Sequence, residues 1–191
     1  MPRYEFFDKA HGPNHVSAVI ENSLAIAKDH DADIDKVYVI AAYHDLGLIQ
    51  GRENHEKNSA VILRSDPMLE QWFSKDELLL MAEAIEDHRA SNDHEPRSIY
   101  GKIVAEADRD IDYMTILTRV AFFSLEYFSD YTPEQHYVRS YEHMEEKYGE
   151  NGYLKLWLDT ERNRRNLSKL RNAMASGKFK DDFMRIISEI S

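Results

Sequence analysis

Apolar side chains recur along most of the chain at the three- and four-residue spacing of an amphipathic helix. Residues 15–30 carry one broad apolar face, and residues 34–46 are apolar on most sides, which predicts a buried central helix that ends near Gly47. No segment alternates apolar and polar residues over a useful strand length, so the predicted fold class is all-α. Further helices are predicted over residues 54–64, 75–88, 98–113 and 114–128, and from near residues 134, 153 and 180 onwards.

The length and composition of the chain fit one folded domain. With 191 residues, 42% hydrophobic and 31% charged, we predict a single domain over residues 1–191 with a buried core and a charged surface. The chain lacks cysteine, which fits a reducing cytoplasm and restricts any metal site to His, Asp and Glu. No apolar stretch approaches the roughly 20 residues of a membrane span, and the N-terminal segment is unlike a secretory signal, so we predict a cytoplasmic location.

The acidic balance of the chain constrains its partners. A formal net charge of −11 argues against broad nucleic-acid binding, which depends on Lys and Arg side chains that neutralise phosphates. By itself this charge indicates only a soluble surface. An anionic substrate would need a local positive centre in such a protein, and a bound divalent cation would supply one.

Several polar residues stand where the helical pattern predicts buried positions. The pair His44-Asp45 ends the most apolar helix, His15 opens the first helix, and Asp108 lies within the apolar run of the fifth. A buried carboxylate is costly unless it is paired or bound to a metal. A shared cation would satisfy these four side chains, and imidazole and carboxylate ligands suit Mn, Fe, Co, Ni or Zn.

Each histidine also has a purely structural interpretation, because a lone histidine near a helix end is often a cap or a satisfied core residue. For His55 at the start of the third helix, a metal ligand and a surface helix start are equally favoured. The group of His15, His44-Asp45 and Asp108 would need four independent coincidences to be structural. The structural interpretation is kept for the remaining histidines away from these positions, His11, His30, His94, His136 and His143.

Three segments resemble the motifs of the HD-domain phosphohydrolase superfamily, in the order in which that family carries them. Residues 41–47 (AAYHDLG) resemble the HD signature in its HDIG-like variant, residues 11–16 (HGPNHV) the first-helix His motif, and residues 106–109 (EADR) the closing Asp motif. The resemblance implies an HD-domain helical bundle over about residues 8–112, followed by a C-terminal helical extension over about residues 113–191. It also implies the metal ligands His15, His44, Asp45 and Asp108.

Two further histidines match the extended pattern of the same family. His55 resembles the histidine that many members carry shortly after the HD pair, and His88 resembles the histidine at the end of the following helix. With both, the site could hold two metal ions bridged by Asp45. Alternatively it holds one ion, and His55 and His88 act beside it or on the substrate. The predicted catalytic residues are therefore His55, His88 and Asp108.

The activity that the resemblance implies is hydrolysis of a phosphoester or nucleotide by a metal-activated water, with a small phosphorylated molecule as substrate. Two positions depart from the family pattern. Members often carry Arg three residues after the first-helix His, and this chain has Ala18 there. Nucleotidase-like and alarmone-hydrolase-like members often carry an acidic residue soon after the HD pair, and residues 47–50 contain none. The cationic side chains nearest in sequence to the predicted ligands are the candidate phosphate contacts Arg89, Lys102 and Arg109.

Three other functions are compatible with parts of the sequence. The set of four His and two Asp residues also resembles that of HD-fold diiron oxygenases of the myo-inositol oxygenase type, although the short interval from Asp45 to His55 resembles the hydrolase branch. A non-catalytic HD module that senses a small molecule would be marked by the loss of metal-binding residues, and none of these residues is missing. A purely structural helical protein would leave the buried polar cluster unexplained.

Overall fold

The computed structural model describes residues 12–92 and 94–190, so His11 and the first residues of the predicted bundle lie outside the described part. Within these residues the secondary structure is helical, with no β-strand, and the all-α fold class is confirmed. Two short 3₁₀ helices span Leu46–Gln50 and Leu69–Gln71. The α-helices are α1 (Pro13–Ala27), α2 (Ile34–Tyr43), α3 (His55–Arg64), α4 (Lys75–Glu86), α5 (Ile99–Asp108), α6 (Tyr113–Tyr127), α7 (Pro133–Tyr148), α8 (Glu161–Ala175) and α9 (Lys178–Ile190).

The chain divides into two compact units, Met1–Arg109 and Asp110–Ser191. The first unit contains α1 to α5 and all the predicted metal ligands, and the second contains α6 to α9. The division falls close to residue 112, where the motif-bearing part of the sequence ends. The organisation of residues 1–191 as a single domain stays a prediction. None of the helices that the structure describes is both long and apolar enough to cross a membrane.

In the first unit, α2 is the central helix, as its apolar sequence predicts. It contacts α1, α3, α4 and α5, and its residues Val37, Ile40 and Ala41 are buried. At its N-terminus Asp33 accepts hydrogen bonds from the backbone amides of Asp35 and Lys36, which fixes where the helix starts. Because every neighbouring helix packs on α2, the residues at its C-terminal end lie where those helices can also reach.

Gly47 allows the turn after α2 to approach α3 very closely. A Cβ atom at this position would lie 2.1 Å from the carbonyl oxygen of His55 and 2.5 Å from the backbone nitrogen of Ser59, so a side chain cannot be accommodated there without displacing the backbone. The Gly47 amide instead donates a 2.8 Å hydrogen bond to the Ser59 hydroxyl. The start of α3, and with it His55, is thereby held next to the His44-Asp45 pair.

Several helix limits differ from the sequence predictions. The helix predicted over residues 98–113 ends at Asp108, because the backbone turns extended at Arg109 and Asp112 caps the start of α6. The predicted helix start near residue 153 is wrong, since α8 begins at Glu161. The amides of residues 153 and 154 donate to carbonyl oxygens of residues 146 and 147 in the last turn of α7, so these residues complete α7 instead of starting a helix.

The second unit has an aromatic core on which α6, α7, α8 and α9 pack. Phe179 and Phe183 of α9 are fully buried and stack with a 6.0 Å centroid separation. One buried polar pair lies here: Nδ1 of His136 is 2.8 Å from the Ser124 hydroxyl. His136 is thus a satisfied core histidine, in line with its structural interpretation.

An ion pair between a buried carboxylate and a partly exposed guanidinium closes the loop between α4 and α5. The carboxylate of Asp87, which is 2% exposed, accepts hydrogen bonds from the Arg97 backbone amide at 2.7 Å and from its Nε at 3.1 Å. The same guanidinium donates to the carboxylate of Glu86 at 2.7 Å. Residues 88–96, including His88 and Arg89, lie between these two anchored positions.

We expect the Asp87→Asn variant to lower the free energy of unfolding by about 1.5–3 kcal/mol, because it weakens charge-assisted hydrogen bonds made by a buried carboxylate. Urea denaturation of both proteins measures this loss. The Glu86→Gln variant is the matched control, since it removes the charge of a more exposed partner of the same guanidinium and should cost less than about 1 kcal/mol. Equal losses in the two variants would contradict the anchoring role of Asp87.

Candidate metal centre

The six predicted metal ligands come together in the first unit, although they are spread over nearly 100 residues of sequence. Five different helices deliver them, each from one of its ends. The positions are His15 in the first turn of α1, His44 and Asp45 directly after α2, His55 as the first residue of α3, His88 just after α4, and Asp108 as the last residue of α5.

The carboxylate of Asp45 lies at the middle of this cluster and presents each oxygen to a different pair of imidazoles. Its Oδ2 is 3.3 Å from Nε2 of His44 and 3.6 Å from Nε2 of His15. Its Oδ1 is 3.5 Å from Nε2 of His55 and 3.7 Å from Nε2 of His88. The donors therefore form two sets that share one carboxylate.

Asp108 extends the first of these sets. Its Oδ1 lies 3.2 Å from Nε2 of His15 and 3.8 Å from Nε2 of His44, and the two imidazole nitrogens are themselves 3.3 Å apart. Ligands bonded to one ion at about 2.0–2.2 Å lie roughly 3.0–3.5 Å from each other in tetrahedral or octahedral arrangements. The spacing in this set is close to that range.

Each set contains the donor chemistry of a transition-metal site. In the triads His15, His44, Asp45 and Asp45, His55, His88, ligand atoms lie within 4.8 Å of one another. Neutral imidazole nitrogens combined with carboxylate oxygens suit Mn, Fe, Co, Ni or Zn. The residues present therefore fit one ion in either set, or two ions that share Asp45.

Hydrogen bonds to backbone carbonyls orient three of the imidazole rings. Nδ1 of His44 lies 2.8 Å from the Ala41 carbonyl oxygen, and Nδ1 of His88 lies 2.6 Å from that of Ile85. Nδ1 of His55 makes the same contact, at 3.1 Å, with the carbonyl oxygen of residue 52. A carbonyl oxygen only accepts, so each Nδ1 carries a proton, and each ring in its neutral form presents the lone pair of Nε2 to the cluster.

The two carboxylates of the cluster favour a positive charge between them. Burial by itself would raise the pKa of the Asp45 carboxyl, but the surrounding imidazoles, that of His44 first, outweigh burial and hold this pKa well below its usual range. For His15, burial opposes the charged form, yet the bonds to Asp108 and Asp45 prevail and raise the pKa to about 10. Two carboxylates thus stabilise a cation at this point, either a proton on His15 or a metal ion in its place.

The three candidate phosphate contacts lie in different surroundings. Arg89 follows His88 directly, and its side chain is 41% exposed, with Nη1 3.4 Å from Oε2 of Glu56. Lys102 pairs with Glu95 at 2.5 Å, and the buried Arg109 donates to the Ala105 carbonyl of its own helix. The structure brings Arg89 beside the histidine cluster and gives the other two cations partners elsewhere. Their roles toward a substrate stay predictions.

The sequence reasoning missed Glu56. This residue follows His55 in the first turn of α3, and it is only 6% exposed. Its Oε2 lies 3.5 Å from Nδ1 of His55. The sequence signal that could have found it is a charged residue adjacent to a predicted ligand, at a helix start that packs against buried residues.

Comparisons with known proteins identify a family and a similar fold for this chain. The HD domain family matches residues 14–111, which are 98 of the 191 residues. A crystal structure of a predicted HD superfamily hydrolase from an uncultured Thermotogales bacterium is similar in fold, with a TM-score of 0.54 and 20% identity over 98% of this chain and 87% of that chain. A comparison with curated proteins gives no significant match.

We expect the His44→Ala and Asp45→Ala variants each to lose bound transition metal, because both side chains face the cluster and Asp45 belongs to both donor sets. Elemental analysis of protein loaded with Mn or Zn and then desalted measures the content, and circular dichroism checks that the variants are folded. The His30→Ala variant, which changes a histidine outside the cluster, should keep the wild-type content. Stoichiometric metal in both cluster variants would contradict the site.

Proposed function

This chain belongs to the HD-domain family, and we propose that it is a metal-dependent phosphohydrolase that cleaves a phosphoester or nucleotide of a small molecule. The observation that carries the proposal is the convergence of four imidazoles and two carboxylates around Asp45. The similarity to a predicted HD superfamily hydrolase supports the same reaction class. We propose a cytoplasmic location, with which the cysteine-free sequence is compatible.

The proposed metal ligands form two groups, each of which would hold one ion. His15, His44, Asp45 and Asp108 would hold a first ion, and Asp45, His55 and His88 a second. A divalent ion bound there supplies a nucleophilic water at neutral pH and polarises a phosphoryl oxygen of the substrate. The carbonyl bonds of the Nδ1 atoms keep the Nε2 atoms aimed inward, so the donors do not have to reorganise when an ion binds.

Two of the proposed catalytic side chains are accessible from solvent. The Asp108 side chain is 28% exposed and that of His55 15%, whereas Asp45 and His88 are almost completely covered. Asp108 can therefore accept a hydrogen bond from the attacking water and orient it. Burial and the neighbouring charge of His88 lower the pKa of His55, which favours its neutral form. In the arrangement with a single ion in the first set, Nε2 of His55 would be able to accept a proton.

A substrate phosphate needs cationic contacts in a chain with a net charge of −11. Arg89 is the strongest candidate, because its exposed guanidinium lies beside the cluster. Lys102 and Arg109 are weaker candidates on geometric grounds, since the described contacts engage them with Glu95 and with the backbone of Ala105. The proposed substrate is accordingly a small molecule with a phosphoryl group that reaches Arg89.

A diiron oxygenase is the second candidate function. The observation that favours it is the assembly of all four histidines and both aspartates into one cluster with a shared carboxylate. This reaction would require iron and dioxygen, whereas hydrolysis proceeds with Mn, Co or Zn and without oxygen. A ligand-sensing module without turnover is less well supported, because the ligand set is complete.

We expect the purified protein to hydrolyse a member of a phosphomonoester, phosphodiester and nucleotide panel, because the cluster can hold an ion that activates water. Activity should be lost in chelator, restored by Mn or Co, and unchanged under strictly anaerobic conditions. Asp108→Ala should be as inactive as His44→Ala, and His30→Ala should match the wild type. Oxygen-dependent product formation with iron alone would favour the oxygenase, and no turnover with any metal would favour the sensor.

We expect His55→Ala and His88→Ala each to reduce the metal content from about two ions per chain to about one, because both imidazoles face Oδ1 of Asp45 and leave the other set complete. Metal titration with elemental analysis measures this change. If the two histidines act beside a single ion instead, content should stay constant while the rate falls by roughly 10–100-fold. His15→Ala should lower the metal content of the first set in either case.

A further inference from the structure

Glu56 is a buried acid that the proposed reaction does not use. It lies in the first turn of α3 and is 6% exposed. The positive end of the helix dipole makes an anion tolerable at this position. The dipole does not account for burial of the carboxylate, which costs free energy unless cationic or hydrogen-bonding partners compensate.

The partners of Glu56 lie at the edge of the metal centre. Its Oε2 is 3.4 Å from Nη1 of Arg89 and 3.5 Å from Nδ1 of His55. Within the described residues, Arg89 is the basic side chain with which this carboxylate pairs. One carboxylate therefore connects a proposed ligand on α3 with a guanidinium that follows α4.

Arg89 has donors to spare for an anion. A guanidinium carries five N–H donors in a fixed planar fork, and Glu56 engages one of its nitrogens while 41% of the side chain remains exposed. The backbone beside it is restrained, because the Asn92 amide donates to the Arg89 carbonyl and the Asn92 side chain donates to the Glu86 carbonyl. The guanidinium can bond a carboxylate through one edge and a phosphoryl group through another.

We propose that Glu56 is a positioning residue that holds the Arg89 guanidinium beside His55 and His88, where Arg89 binds the phosphoryl group of the substrate. The inference rests on the proposed function for the nature of the ligand. Without the carboxylate, the long Arg89 side chain would sample many rotamers at a surface position, and ordering it would cost part of the binding free energy. Glu56 acts through Arg89 and does not itself contact the substrate.

The test is a double-mutant cycle on the affinity of the metal-loaded protein for inorganic phosphate, measured by calorimetry at fixed ionic strength. Phosphate is the probe, so the cycle requires no turnover. We expect Arg89→Ala to weaken binding by about 10–30-fold and Glu56→Ala by about tenfold, in the range of charge-assisted hydrogen bonds. The double variant should bind no more weakly than Arg89→Ala alone, because Glu56 has no effect once Arg89 is absent.

Two further variants separate positioning from charge and from folding. Glu56→Gln keeps an oxygen that accepts from Arg89, and it should recover most of the wild-type affinity. Glu70→Ala, which removes an exposed acid of the same unit, should leave phosphate affinity unchanged. Metal content should equal that of the wild type in all variants.

Several results would overturn the proposal. One is that Glu56→Ala changes phosphate affinity equally in the presence and absence of Arg89. Others are that Glu56→Ala leaves phosphate affinity unchanged or increases it, or that this variant loses metal. The last is that the wild type does not bind phosphate. The proposed hydrolysis is judged separately by the substrate panel. A non-additive phosphate cycle without turnover would keep the role of Glu56 and exclude the hydrolase.

Discussion

The first unit depends on one electrostatic constraint, the burial of the Asp45 carboxylate among imidazoles. This side chain is 5% exposed, and an isolated anion at such a position would cost several kcal/mol. The imidazoles of His15, His44, His55 and His88 offset this cost jointly, and each is delivered by the end of a different helix. The central position of α2 and the close approach at Gly47 make this convergence possible.

The ends of helices are suited to this task for a reason that lies in the backbone. The last carbonyl oxygens of a helix have no partner within it. His44 and His88 each follow a helix and donate Nδ1–H to a carbonyl oxygen three residues earlier, which fixes the tautomer. The same bond to the end of the helix aims Nε2 at Asp45. His55 lies at a helix start, and its Nδ1–H donates to the carbonyl oxygen of residue 52 in the preceding turn. In that turn Asn54 adopts a positive φ of 54°.

Sequence was sufficient for the features that depend on local pattern. Helical periodicity identified α2 as the buried helix, and the position of His44-Asp45 at its end predicted polar residues that need partners. Features created by contacts between distant segments were not predictable. The pairing of Glu56 with Arg89 joins residues 33 positions apart, and nothing in either local segment indicates it. The prediction of a helix start near residue 153 was wrong for a similar reason, because the backbone amides there bond to the end of α7 instead of forming a helix.

Charge distribution around the cluster determines how an anionic substrate can approach an acidic protein. The carboxylates of Asp45 and Asp108 repel a phosphate unless cations offset them, and in the proposed function a bound metal would supply that charge at the centre of the site. Arg89 extends the positive region outward on one side, since it follows His88 in sequence and leaves much of its side chain exposed. In the proposed arrangement the carboxylate of Glu56 offsets part of the positive charge of Arg89 and holds its guanidinium in a defined position. For the proposed phosphate contact, a defined position would favour recognition of a phosphoryl group by geometry, because a guanidinium held in one place matches one orientation of its oxygens.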